Sequence, residues 1–158
     1  MVLLVKKQSK IILAVLGLLL LAIAVLAMLH LDRREQVPEN ALAIHTGDQV
    51  RYLALDELTL GPVRGTVVNG KGEERSIDAE GIALADALRQ AGLDPQTVHG
   101  ATVRASDEFS AQITGDELNE PGKVFLYRGK DGSFTLVVFG DANAKRHVKN
   151  VEAIDVAA

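Results

Sequence analysis

The sequence predicts an α+β protein, with one N-terminal transmembrane helix followed by a mostly-β domain that has one main helix. Three observations carry that prediction. Ile11 to Leu29 is an uncharged apolar run. Most of the remaining chain is a series of short apolar-alternating segments separated by Gly- and Pro-bearing turns. Only one later stretch, Gly81 to Ala91, carries apolar residues at helical spacing.

The run from Ile11 to Leu29 would make a helix of roughly 28 Å at about 1.5 Å per residue, close to the hydrocarbon thickness of a bilayer. Lys6, Lys7 and Lys10 precede it with no acidic residue among them, whereas Arg33 and Arg34 after it are offset by Asp32 and Glu35. That asymmetry predicts a single pass in the cell membrane, with a cytoplasmic N-terminus over residues 1–10, an anchor over 11–29 and an extracytoplasmic C-terminal domain. A cleaved secretory signal is the competing reading, since Ala22-Ile23-Ala24 has a small-x-small form. The apolar run continues past it to Leu29, longer than a usual signal core, which favours an uncleaved signal anchor. Residues 30–40 mix charges with Pro38 and have no apolar period, as expected of a linker. The extracytoplasmic domain is expected over 41–156.

Within that domain, Ala41 to His45 and Gln49 to Leu53 alternate around Thr46-Gly47-Asp48 and read as a hairpin. Asp56-Glu57-Leu58 reads as a short helical turn, and Gly61-Pro62 as a break before a strand over Val63 to Val68. Asn69-Gly70 is a hairpin signal, because both residues tolerate positive φ, and it leads back into Glu73 to Ile77. Gly81 to Ala91 places Ile82, Ala85 and Leu88 near one face, with Gly92 and Pro95 as stop signals. Strands are expected at Ala101–Ala105 and Phe109–Ile113, and a helical turn at Gly115–Leu118. Val124–Arg128 and Phe134–Phe139 read as strands around a turn at Lys130-Asp131-Gly132. A last strand is expected within Val148 to Val156.

Composition excludes several functions. The chain has no cysteine, which removes disulfides, thiolate metal sites and cysteine nucleophiles. Residues 36–158 hold twelve Lys/Arg against nineteen Asp/Glu, a net −7 with neutral histidines, which argues against nucleic acid as a partner. The histidines at 30, 45, 99 and 147 share no metal-ligand spacing. The doublets Asp56-Glu57, Glu73-Glu74, Asp107-Glu108 and Asp116-Glu117 are adjacent pairs that diverge on any regular element, so solvated turns and helix starts explain them. None of the serines at 76, 106, 110 and 133 sits in G-x-S-x-G, and the glycines between 61 and 72 are not in phosphate-loop order. Within the acidic domain, the one local concentration of positive charge is Lys145, Arg146 and Lys149 with His147, after the turn-rich Gly140–Asn143. Such a loop could bind an anion, but on charge alone a solvated loop that balances acidic neighbours is the favoured reading, since such runs are usually solvated.

The segment Ala144 to Val156 resembles the R-x-V-K-x-V-x-x-I-x-V ending of the molybdopterin-binding domain of the sulfite oxidase family. Gly81 to Leu88 with Ala91-Gly92-Leu93 is similar to that family's G-v-x-L-x-D-x-L…aG helix. Val103 to Ala111 is similar to its v-x-a-x-D-g-y-s strand-turn-strand, and Leu53 to Leu58 to its l-t-L-d-e-L. The resemblance covers roughly 41–156 and implies the fold of that domain. It also associates Arg146 and Lys149 with the anionic end of the cofactor. In that family a cysteine thiolate before the helix, near Val67–Asn69 here, ligates molybdenum, and this chain has no counterpart. The family's N-G-e-P-L…G-x-P-l-R segment is replaced by Tyr127 to Phe134.

These readings together lead us to expect a membrane-anchored extracytoplasmic binding or interaction domain of molybdopterin-binding-like fold, without its own redox centre. Its ligand contacts would be Arg128, Lys145, Arg146 and Lys149, with no catalytic residue and no metal ligand assigned. The expected partners are the membrane, through the N-terminal helix, and another envelope protein or a small anionic ligand. No cofactor is expected, molybdopterin being the one the resemblance allows. The alternatives are a pterin-binding oxidoreductase or accessory subunit of an envelope redox system, and a structural envelope protein.

Overall fold

The computed structural model describes residues 2–32 and 37–158, with side chains at 10–29 and 37–158. The chain divides into two units, residues 1–36 and 37–158. The first contains one helix, α1 (Val2–Asp32). Its stretch Lys10–Leu29 has a mean hydropathy of 3.2, and it is long and apolar enough to cross a membrane. Every side chain in that stretch is exposed. A helix apolar on all sides requires apolar surroundings, which the other described residues of this unit do not supply. Of the expected linker, His30 to Asp32 continue the helix, and residues 33–36 lie outside the described residues.

The second unit is a mostly-β domain of two sheets, with short helices between strands. Its strands are β1 (Ala41–Thr46), β2 (Gln49–Ala54), β3 (Gly61–Val68), β4 (Glu74–Ala83), β5 (Gly100–Ala105), β6 (Ser110–Thr114), β7 (Val124–Arg128), β8 (Phe134–Val138) and β9 (Val151–Ala157). Its helices are α2 (Leu84–Gln90) and α3 (Gly115–Asn119), with 3₁₀ turns at Leu55–Glu57, Pro95–Thr97 and Ala144–Arg146. One sheet runs β2-β1-β9-β5-β6 and the other β3-β4-β7-β8. All pairings are antiparallel except β1 with β9, which join the first and last strands of the domain side by side.

Three hairpin turns share one geometry, and it differs from the turn expected at Asn69-Gly70. In Asn69–Glu73, Ala105–Phe109 and Gly129–Ser133, the first N–H donates to the fifth carbonyl at 2.7–2.9 Å. The fourth N–H donates back to the first carbonyl at 3.0–3.1 Å. The left-handed residue is therefore the fourth: Gly72 (φ 82), Glu108 (φ 71) and Gly132 (φ 85). Asn69 acts through its side chain instead, its Oδ1 accepting from the N–H groups of Lys71 and Glu73. The hairpin forms, but as a three-residue loop closed by a left-handed residue.

The main helix starts three residues later than its apolar spacing suggests. Gly81, Ile82 and Ala83 remain in β4, paired with Tyr127, Leu126 and Phe125 of β7. The approach is close enough that a methyl group at Gly81 would overlap the Leu126 carbonyl and lie 2.7 Å from Tyr127 Cα. The stop at Gly92 is as expected. Leu93 N–H donates to the Leu88 carbonyl and Gly92 N–H to that of Arg89, with Gly92 at φ 80, the paired closure of a Schellman end. Gly61-Pro62 belongs to β3 rather than breaking the chain before it, which is tolerated because β3 is an edge strand. The last strand begins at Val151, and Val148 makes a separate bridge to Leu136.

The main core lies between the inward faces of both sheets and α2. Leu42, Ile44, Val103, Ile113 and Ile154 of the first sheet meet Leu126, Phe134 and Leu136 of the second, with Leu84 and Leu88 of α2. Each such side chain contributes about 1.5–3 kcal/mol of burial. A smaller cluster of Val63, Val67, Ile77 and Val137, edged by Phe125, Tyr127 and Phe139, covers the other face of the second sheet. Phe139 stacks edge-on to Phe125 at 5.8 Å and fills the space over Gly65 on the far edge strand. That contact shows that the sheet coils until its two edges approach.

Candidate functional site

Four cations were expected to bind a ligand, and the structure gives them three different environments. Arg146 ends the 3₁₀ turn Ala144–Arg146, which Asn143 caps by accepting from Lys145 N–H at 3.1 Å. Its guanidinium donates from Nε and Nη2 to the two carboxylate oxygens of Asp141, at 2.8 and 2.5 Å. It also donates from Nη1 and Nη2 to the two oxygens of Glu117, at 2.9 and 2.8 Å. The second Nη1 hydrogen reaches the Gln112 carbonyl at 3.3 Å. A guanidinium has five N–H groups, and all five are engaged.

Glu117 is itself placed by local sequence. Thr114 and Glu117 form a reciprocal capping box at the start of α3, fixing the carboxylate where Arg146 arrives. Hydrogen bonds from Arg146 hold the Glu117 carboxyl down at about 2, against the opposing effect of burial. Asp141 and then Glu117 push Arg146 further above its already high value. The expectation that the doublet Asp116-Glu117 is a solvated helix start is therefore corrected for Glu117, only 18% of whose side chain is exposed. Arg146 joins β6, α3 and the loop after β8, while Leu136 N–H donates to the Val148 carbonyl two residues further on. The segment 141–148 is thus a clasp across the edges of both sheets. Neighbouring His147 has its pKa lowered by burial, which Asp141 partly opposes. Lys145 and Lys149 are exposed and make no side-chain hydrogen bond or ion pair with the described residues.

Arg128 differs from both. It follows Val124 and Leu126 in the row of β7 that faces the main core, so its guanidinium lies at the mouth between the two sheets. The Phe134 ring packs against it at 5.3 Å from the ring centroid, and Nη2 donates to the Leu55 carbonyl at 3.4 Å, near the limit for a hydrogen bond. Its Nε is buried without a partner, and among the described residues no carboxylate pairs with this side chain. Leu55 and Phe134 are also part of the wall of a cleft of about 340 Å³. Ser106, Ser133, Asp131 and Glu152 supply polar groups there. Ser133 donates to Asp131 Oδ1 from its N–H at 3.1 Å and its hydroxyl at 2.7 Å, which lowers the Asp131 pKa. The structure does not gather the four predicted cations into one site: Arg146 closes a clasp, the lysines face solvent, and Arg128 stands behind the cleft.

Sequence reasoning missed Asp141 and Glu117 as partners of Arg146, and Leu55 and Phe134 as contacts of Arg128. The T-x-x-E spacing from Thr114 to Glu117 was the one local signal for any of them.

No protein-family model and no curated protein matches this chain. Of the features that the resemblance associates with a molybdopterin cofactor, the cysteine has no counterpart in the chain, every Arg146 N–H is engaged, and Lys149 is exposed with no side-chain partner among the described residues. Among the described residues no group of three or more His, Cys, Asp or Glu is placed to hold a metal.

Proposed function

We propose that this protein is a membrane-anchored extracytoplasmic binding domain that holds a small oxyanionic ligand at Arg128. In this reading its fold is akin to the sulfite oxidase-like molybdopterin-binding domain, and it carries no redox centre of its own. One observation supports the reading above the others: Arg128 is a partly buried guanidinium with no carboxylate partner among the described residues, in contact with Leu55 and Phe134, which line a cleft. Burying a cation without a counter-charge is costly, and an incoming carboxylate, sulfate or phosphate would offset that cost through paired N–H···O bonds. The 3.4 Å bond to the Leu55 carbonyl is weak enough to be exchanged for a charge-assisted one.

The test is thermal unfolding of the full-length chain in detergent micelles with acetate, sulfate and phosphate. A ligand at about 100 times its Kd adds roughly 2.7 kcal/mol of stability and raises Tm. At least one anion is expected to do so for the wild type and for a Lys145→Gln, Lys149→Gln double variant. Arg128→Gln should abolish the rise and Arg128→Lys should keep part of it. An undiminished rise in Arg128→Gln, or no rise with any anion, overturns the proposal.

A further inference from the structure

Each of the two sheets ends in two edge strands, and three of these four edges are covered or blunted. In β6 the outward Gln112 carbonyl accepts from Arg146, and in β8 the outward Leu136 N–H donates to the Val148 carbonyl, so the clasp occupies both. β3 carries Pro62, which has no N–H to offer, and the exposed Arg64, two devices that discourage pairing. β2 has no such protection. Thr46 and Gln49 close its hairpin with β1, so Val50 and Tyr52 turn their N–H and carbonyl groups away from β1. None of those groups has a hydrogen-bond partner among the described residues. The one charge of the strand, Arg51, is engaged by the Ala91 and Gly92 carbonyls at the end of α2. Tyr52 is 48% exposed in the middle of the strand, and the other large apolar side chain so exposed among the described residues of this unit, Phe109, belongs to a turn.

An unpaired edge of this kind is a template for another strand, and β2 is complementary to itself. In an antiparallel register centred on Tyr52, the two Tyr52 residues exchange main-chain hydrogen bonds, Val50 stands opposite Ala54, and Arg51 opposite Leu53. No like charges face each other along the strand, and the two tyrosine rings form a cross-strand aromatic pair. We propose that this protein pairs with a second copy of itself through β2, joining two five-stranded sheets into one across a two-fold axis. Copies anchored by α1 in one membrane have a high effective concentration, so a short strand-to-strand contact suffices to hold them. The contact uses no residue of the Arg128 reading and is tested separately from it.

The chain has no cysteine, so single introduced cysteines report the contact in the full-length chain reconstituted in liposomes. Opposite residues of a hydrogen-bonded antiparallel pair have Cα atoms about 5.5 Å apart, within disulfide reach. Under a mild oxidant Tyr52→Cys is expected to form a disulfide-linked dimer, whereas Thr66→Cys, exposed on the β3 edge, stays monomeric. In micelles, sedimentation of the cysteine-free chain should show a dimer that Tyr52→Lys weakens ten-fold or more by setting like charges opposite each other. Tyr52→Pro removes an N–H that β1 does not use, so it should keep the wild-type circular dichroism and lose the dimer. Equal cross-linking at positions 52 and 66 overturns the proposal, as does a dimer undiminished by both Tyr52 variants, which would place the contact elsewhere in the chain. Absence of any Tyr52→Cys dimer in liposomes overturns it as well.

Discussion

Replacing Glu117 by Gln removes one charge from the clasp while leaving most of its shape. Gln can still accept from Thr114 in the capping box, so α3 keeps its start and the change isolates the charge-assisted pairing to Arg146. In the folded protein the Glu117 carboxyl is lowered from 4.5 to about 2, chiefly by the Arg146 hydrogen bonds. At about 1.36 kcal/mol per pH unit, that shift corresponds to an upper bound of about 3 kcal/mol of stability. The contribution is complete above the unfolded-state value near 4.5 and is lost as pH falls through the folded value near 2. Denaturant unfolding of the full-length chain at pH 7 should therefore show Glu117→Gln less stable by about 2–3 kcal/mol with an unchanged m-value. In heat, that is a Tm lower by roughly 10 °C. The gap between wild type and variant should narrow steadily from pH 4.5 toward pH 2, because wild-type Glu117 becomes neutral there too. A gap below about 0.5 kcal/mol at pH 7, within the range of ordinary surface changes, would refute the clasp, as would a gap that does not change with pH.

Two further predictions concern the backbone. Glu108 is held at φ 71 in the β5–β6 turn, where a side chain costs about 1 kcal/mol, so Glu108→Gly should raise the denaturation midpoint, and an unchanged or lower midpoint would count against the turn geometry. Gly81→Ala should cost 3 kcal/mol or more, about the upper range for overpacking, because the methyl meets main-chain atoms of β7 that cannot rotate away, whereas Gly70→Ala, with open space around it, should change stability by less than about 0.5 kcal/mol. Equal effects of the two alanines on the unfolding midpoint would rule out the close pairing of β4 and β7.

By itself the sequence determined the features that depend on a few neighbouring residues. The apolar run to Leu29 specifies α1, alternation specifies the strands, and Gly92 specifies the end of α2, each through the conformational preferences of a short window. Val124–Arg128 has the expected bounds because turn residues delimit it on both sides. Tertiary structure decided where long-range pairing competes with local spacing. The residues from Gly81 to Ala83 suit a helix locally, yet the ladder to residues 125–127 of β7 holds them in a strand. The same division explains the site. Four basic residues are visible in the sequence, but whether a guanidinium is free depends on what the fold brings to it. Glu117 is 29 residues from Arg146 and takes two of its hydrogen-bonding contacts, while Arg128 meets Leu55, 73 residues away, and no carboxylate among the described residues. Charge is a property of the residue, whereas its availability to a ligand depends on distances that only the packed sheets establish.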